Sequence, residues 1–170
     1  RSRLVVREIK KAKSADEKLD PSEVLSSMPP IEGLKCLISH MMTEQKDPNG
    51  EDLCMAVWDV SRAHFYGLAE RAVYTNLPEE LAEEGYAAKL LKTMYGTQDA
   101  AHIWGETWIP VLDADSMSIG QSNRFVFGDK YRRGLCHGDD FLVVASRAKL
   151  QQFGKLLEAT FDVRGSDIVG

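Results

Sequence analysis

No run of apolar residues in the sequence approaches the ~20 that a helix needs to cross a bilayer, so no membrane span is expected. Cysteine is scarce. Cys36, Cys54 and Cys136 make an odd, widely spaced set, which gives neither a disulfide framework nor a cysteine zinc site. Each thiol is expected to pack as a small apolar side chain. Positive charge is also short: 21 Lys and Arg stand against 26 Asp and Glu, for a net charge of −5. A free-standing nucleic-acid binder usually shows the opposite balance, because Lys and Arg neutralise phosphates. No signal-peptide pattern opens the given sequence, and no internal repeat or low-complexity tract appears in it. What remains is a 170-residue chain that is 44% hydrophobic, enough for a buried core and too much for wholesale disorder.

The charge is uneven. Arg1, Arg3, Arg7, Lys10, Lys11 and Lys13 face a single acid, Glu8, so the rest of the chain is acidic. A basic stretch on an acidic body suits a phosphate-facing surface, and equally a solvated arm. The chain opens without Met inside a strand-like pattern and stops just after another. It therefore reads as a piece of a longer polypeptide.

Periodicity divides the chain into short elements. Arg3 to Ile9 reads as a strand and Lys10 to Glu23 as a charged loop. Pro29 and Pro30 lead into a helix over 31–45, with Leu34, Leu37, Ile38, Met41 and Met42 at helical spacing. Pro48, Asn49 and Gly50 signal a turn. Leu53 to Asp59 is a nearly continuous apolar run ending on an acid, as in a buried strand. A helical turn over 61–66 and short strands over 72–76 and 89–94 follow, separated by an acidic loop after Pro78. Asp99 to Leu112 reads as a helix burying Ile103, Trp104, Trp108 and Val111. Asp113 and Asp115 read as a solvated helix-end loop. Strands flank Gly128-Asp129-Lys130 and then Gly138-Asp139-Asp140, with Phe141 to Ala145 leaving the second turn. A helix over 147–160 buries Leu150, Phe153, Leu156 and Leu157, and a strand over 161–164 ends the chain. The sum is an α+β domain with a mainly antiparallel sheet packed on helices.

The stretch Cys136-His137-Gly138-Asp139-Asp140-Phe141 carries chemistry. Two acids sit between apolar strand-like runs, where charge is costly unless compensated. A turn presenting carboxylates to a divalent cation supplies that compensation, and Mg²⁺ prefers hard oxygen ligands. A plain turn is the competing reading, because Asp tolerates turn geometry. Asp59 ends another buried strand. If the two strands are neighbours, three carboxylates meet at one edge. Such a trio suits two cations about 4 Å apart, the arrangement used for in-line displacement at phosphorus.

Several segments resemble copia-type retrotransposon reverse transcriptases. Asp59-Val60-Ser61-Arg62-Ala63-His64-Phe65-Tyr66-Gly67 is similar to the family segment with an acid, Val, two variable residues, Ala and an aromatic. Val73-Tyr74 with Leu77-Pro78 resembles its Val-Tyr…Pro stretch. Lys89-Leu90-Leu91-Lys92-Thr93-Met94-Tyr95-Gly96 resembles its Lys-Leu-x-Lys-Ala-Leu-Tyr-Gly. Asp99-Ala100-Ala101-His102-Ile103-Trp104 stands where the family has Gln-Ala-Pro-Arg-x-Trp. His137-Gly138-Asp139-Asp140 stands at the Tyr-x-Asp-Asp box, and Arg3-Leu4-Val5-Val6 at the fingers strand. The blocks keep the family's order over nearly the whole chain.

The resemblance implies a right-hand polymerase fold, with fingers and palm over residues 1–170 and without the thumb and RNase H. It implies an RNA-directed DNA polymerase of a retrotransposon Pol polyprotein, which transfers deoxynucleotides to a primer 3′-OH on an RNA or DNA template. Its partners would be that template with primer, deoxynucleoside triphosphates and the rest of the polyprotein, with no membrane. Its location would be cytoplasmic virus-like particles, with a nuclear stage. Asp59, Asp139 and Asp140 would be catalytic and would hold two Mg²⁺, or Mn²⁺, with the Val60 carbonyl as an auxiliary ligand. Arg3, His64 and Gln98 would bind the nucleotide, and His137 and Gly138 would support the primer end. The residue readings leave Arg3 equally a surface Arg and His64 equally a satisfied buried His. The chain departs from the family at His137, where the box opens with Tyr, at His64, smaller than the family's 2′-hydroxyl-blocking aromatic, and at Asp99, where a carboxylate replaces Gln. A decayed or co-opted copy acting as a binding module is the alternative, and a two-metal nuclease a third reading.

Overall fold

The computed structural model describes Val5, Val6, residues 29–165 and residues 167–170. The expected strand Arg3 to Ile9 is therefore described only at Val5 and Val6, neither of which is in a strand, and the charged loop over 10–23 lies outside the described residues. The architecture is α+β. Among the described residues there are three α-helices: α1 (Ile31–Glu44), α2 (Ala100–Ala114) and α3 (Arg147–Glu158). None is long and apolar enough to cross a membrane.

The strands are β1 (Leu53–Val60), β2 (Tyr74–Thr75), β3 (Ala88–Lys89), β4 (Ser118–Ile119), β5 (Val126–Gly128), β6 (Arg133–His137), β7 (Asp140–Ser146) and β8 (Val163–Gly165). Six form one sheet in the order β4-β5-β6-β7-β1-β8, every neighbouring pair antiparallel. The chain divides into two compact units. One holds residues 1–26 and 64–107, the other residues 27–63 and 108–170.

The second unit contains the six-stranded sheet. The strand period of two sends alternate residues of β1 to opposite faces. Trp58 lies opposite Phe141 and packs edge-on against Phe153 at 5.2 Å. Phe127, Phe141, Phe153 and Trp108 complete this aromatic layer, with centroids 5.4–6.2 Å apart in the contacting pairs. Gly134 makes room for it, since an added Cβ would stand 2.6 Å from the Phe127 ring. The opposite face carries Leu53, Leu135 and Val144, which pack with Leu37 of α1. Leu34 and Met41 join that cluster, whereas Ile38 (44%) and Met42 (65%) stay exposed. The apolar stripe of α1 is thus wider than the face that the sheet covers.

An ion cluster around the buried Arg132 fixes the β5–β6 hairpin. Arg132 donates to Asp129 and to Asp115 at the end of α2. Asp115 thus stays partly solvated at the helix end, as expected, and is also an ion-pair partner of Arg132. Two expectations are corrected. Cys36 is exposed rather than packed. Residues 90–94 form no strand: the backbone N–H groups of Leu90 and Thr93 donate to Val73 and Gly67, and Leu91 accepts from Ala69. Lys92 pairs with Leu68 in an isolated antiparallel bridge, so the expected strand over 89–94 is present only as Lys89 at the end of β3 and this bridge.

In the first unit, β2 and β3 form a two-stranded ribbon, and Ile103 and Trp104 of α2 are buried with Met94 and Val73. Within α2, Ile103, Trp104 and Trp108 are buried as expected, and only at its end does the burial differ, with Leu112 buried and Val111 half-buried.

The aromatic layer sets a stability prediction. Phe153 is fully buried against three other rings. Phe153→Ala should lower the free energy of unfolding by about 3–5 kcal/mol. Met42→Gln, at an exposed position, should change it by less than about 0.5 kcal/mol. Urea unfolding followed by far-UV circular dichroism reads both.

Candidate functional site

The site is built by strand register. β1 and β7 pair antiparallel, so Asp59 stands directly opposite Asp140. Directly paired residues share a face of the sheet, with Cβ atoms about 4.5–5.5 Å apart. β6 places His137 beyond Asp140, and β8 places Arg164 beyond Asp59. One row of side chains thus crosses four strands in the order His137, Asp140, Asp59, Arg164. All four residues are exposed.

Asp139 comes to the same edge by a different route. Gly138 and Asp139 form the β6–β7 turn, and Gly138 holds φ at +67°. Glycine adopts that left-handed conformation without a Cβ penalty, as the turn requires. The backbone N–H of Val60 donates to the Asp139 carbonyl at 2.9 Å, and the Ser61 N–H donates to the Asp162 carbonyl at 2.8 Å. The end of β1 is therefore tied to the turn on one side and to the entry of β8 on the other. Val60 itself is fully buried.

The electrostatics are those of crowded carboxylates. Partial loss of hydration pushes the Asp140 carboxyl above the usual carboxylate range. The charges of Asp139 and Asp59 push it further, and His137 pulls it back. Among the described residues no three His, Cys, Asp or Glu side chains close around a common point. Instead, backbone pairing gathers three carboxylates at one edge and leaves their side chains apart. Like charges directly opposite on paired strands repel. Carboxylates are hard oxygen donors of the kind Mg²⁺ or Mn²⁺ prefers, but as placed these three side chains do not converge on one point.

The remaining sequence-derived site residues fall in the first unit or outside the described residues. Arg3 lies outside them. His64 follows Ala63 in a 3₁₀ turn, Ala63–Tyr66. Its Nδ1 lies 3.2 Å from the Ala100 carbonyl oxygen, and its ring meets that of Tyr95 edge-on at 4.6 Å. The Thr93 hydroxyl donates to the His64 carbonyl. This His is half-buried and locally satisfied. Gln98 is half-buried just before α2.

Asp99 receives a structural account. Its carboxylate accepts two hydrogen bonds from the Arg71 guanidinium, at 2.6 and 3.2 Å, and the residue is buried. The acid is therefore neutralised within its own unit and is no bare charge facing a triphosphate. Arg71, its partner, escaped sequence reasoning because nothing in the sequence links positions 28 residues apart. Arg164 was missed for a similar reason, since only the β1–β8 register brings it to the carboxylate row.

Comparison with protein-family profiles, curated proteins and solved structures gives no match.

The raised Asp140 sets a pH dependence. An acid with a folded pKa above its unfolded value binds its proton more tightly when folded. It costs stability above the folded pKa, and the cost disappears below the unfolded value of about 3.9. In metal-free buffer, Asp140→Asn should therefore stabilise the chain at pH 7 by a few tenths to about 1 kcal/mol. By about pH 3.5 the gain should be gone. Urea unfolding at the two pH values measures this, and an equal gain at both would contradict it.

Proposed function

We propose that the chain is the fingers and palm portion of a copia-type retrotransposon reverse transcriptase, an RNA-directed DNA polymerase. The observation that carries this reading is the placement of the three acids. Asp59 stands opposite Asp140 across β1 and β7, and Asp139 sits in the adjoining turn, tied to Val60. Those acids lie in two of the sequence blocks that carry the family resemblance. An antiparallel sheet backed by helices is consistent with a polymerase palm.

In this reading Asp59, Asp139 and Asp140 hold two Mg²⁺, with the Val60 carbonyl as an auxiliary ligand. When bound, the ions would lower the pKa of the primer 3′-hydroxyl and stabilise the leaving pyrophosphate. The chain's own residues supply position. The β1–β7 ladder fixes the spacing of Asp59 and Asp140. The Val60 N–H holds the turn that presents Asp139. His137 and Gly138 support the primer end, with His137 in the place of the family's Tyr. Arg3, His64 and Gln98 are assigned to the incoming deoxynucleotide on the resemblance. The partners are a primed RNA or DNA template and the rest of a Pol polyprotein, working in cytoplasmic particles with a nuclear stage.

A second reading is a decayed or co-opted copy kept as a binding module. His137 in the Tyr position favours it. Primer extension separates the two. The chain, and a longer polypeptide from the same reading frame, are supplied with a primed RNA template, deoxynucleotides and Mg²⁺ or Mn²⁺. Polymerase activity should appear, and Asp139→Asn should lower it by more than about 100-fold, beyond the loss typical of outer partners in metal sites. No extension from a polypeptide that includes a thumb would leave the binding-module reading.

A further inference from the structure

The polymerase reading uses Asp140 and leaves unexplained the cavity beside it. A cavity of about 370 Å³ opens on the sheet face that carries the charged row, where Pro29 and Pro30 lead into α1. Ile31 and Leu34 wall it from the helix, Val57 from β1 and Leu142 from β7, and His137 and Asp140 line it as well. Register explains the mixture. Val57 pairs with Leu142, and two residues along the same strands Asp59 pairs with Asp140. An apolar wall therefore runs directly into carboxylates.

The volume falls in the range of small-molecule sites, roughly 300–1,000 Å³. Such sites combine apolar walls with a few polar groups that fix orientation. Here the orienting group is an anion with a second carboxylate paired beside it. A phosphate or carboxylate ligand would meet like charge. A neutral donor would displace water from the carboxylate and return a hydrogen bond that leaves its charge uncancelled. A cation on an apolar body satisfies both parts of the lining.

We propose that this cavity binds a small organic cation, an aromatic or other apolar ring system bearing an ammonium or amidinium head. The body lies against Ile31, Leu34, Val57 and Leu142, and the head pairs with Asp140. The head and a divalent cation then compete for the same carboxylate. That competition rests on the polymerase reading, whereas the cavity and its cation preference do not.

The test uses three probes of one shape, 1-naphthylmethylamine, 1-naphthalenemethanol and 1-naphthoate. Each is titrated calorimetrically into the metal-free chain. The amine should bind about tenfold or more tightly than the alcohol, the margin that an opposite charge adds to the hydrogen bond, and the naphthoate should bind most weakly. Asp140→Asn should erase the preference for the amine. Ile31→Arg, at an exposed position at the start of α1, places a fixed cation at the cavity wall and should abolish amine binding with the melting temperature unchanged. Leu34→Trp fills the cavity and should have the same effect. Equal affinity for the three probes, or full amine binding in both cavity variants, would overturn the proposal. Mg²⁺ should weaken amine binding in proportion to its occupancy. Amine binding that ignores Mg²⁺ would overturn the competition and count against the metal assignment, while the cavity's preference would stand on the probe series.

Discussion

Asp59 and Asp140 face each other across a pair of antiparallel strands, and the rest of the site depends on that opposition. Like charges in directly paired positions are destabilising by roughly 0.2–1 kcal/mol. The strands cannot relieve the clash by slipping. A shift of one residue would turn Trp58 and Phe141 out of the aromatic layer and send Val57 and Leu142 into it. The buried faces fix the register, and the register fixes the carboxylates. Arg164 and His137 flank the pair at either end of the row, and a divalent cation would complete the compensation.

The two sheet faces divide the work. The aromatic layer of Trp58, Phe127, Phe141, Phe153 and Trp108 anchors the middle strands against α3. The aliphatic face, with Leu37, Leu53, Leu135 and Val144, carries α1. Because α1 covers only part of that face, the side-chain row beyond Val57 and Leu142 stays open to solvent. The same limited coverage leaves the cavity beside Asp140. The Arg132 cluster holds the β5–β6 hairpin independently of the carboxylate edge, and the Arg71–Asp99 pair settles an acid within the other unit.

Much of the sheet was legible because its strands obey a simple period. The apolar run from Leu53 ended on an acid, and the Gly138-Asp139-Asp140 turn interrupted two apolar runs. Both features survive in the structure as strand ends. Helix α1 was legible from its proline entry and its spacing, although Ile38 and Met42 were assigned to a face that nothing among the described residues covers. What escaped was long-range pairing. Arg164 joins the carboxylate row through β8, and Asp99 is claimed by Arg71. No local pattern announces either contact. The short strand β4 has only two residues, too few for a period to show. The family resemblance supplied roles for Arg3, His64 and Gln98. The residues alone left His64 open between a nucleotide contact and a satisfied side chain, and its contacts with Ala100 and Tyr95 are compatible with either.

The most direct test of the carboxylate edge is paramagnetic broadening by Mn²⁺, read from amide resonances of the isotopically labelled chain. The account predicts that substoichiometric Mn²⁺ broadens residues around Asp59 and Val60 and around Gly138 to Phe141. It predicts that Asp59→Asn removes this broadening while the remaining spectrum keeps its dispersion. Broadening centred instead on the acidic stretch Glu79 to Glu84, or a pattern at the β1–β7 edge unchanged by Asp59→Asn, would contradict it.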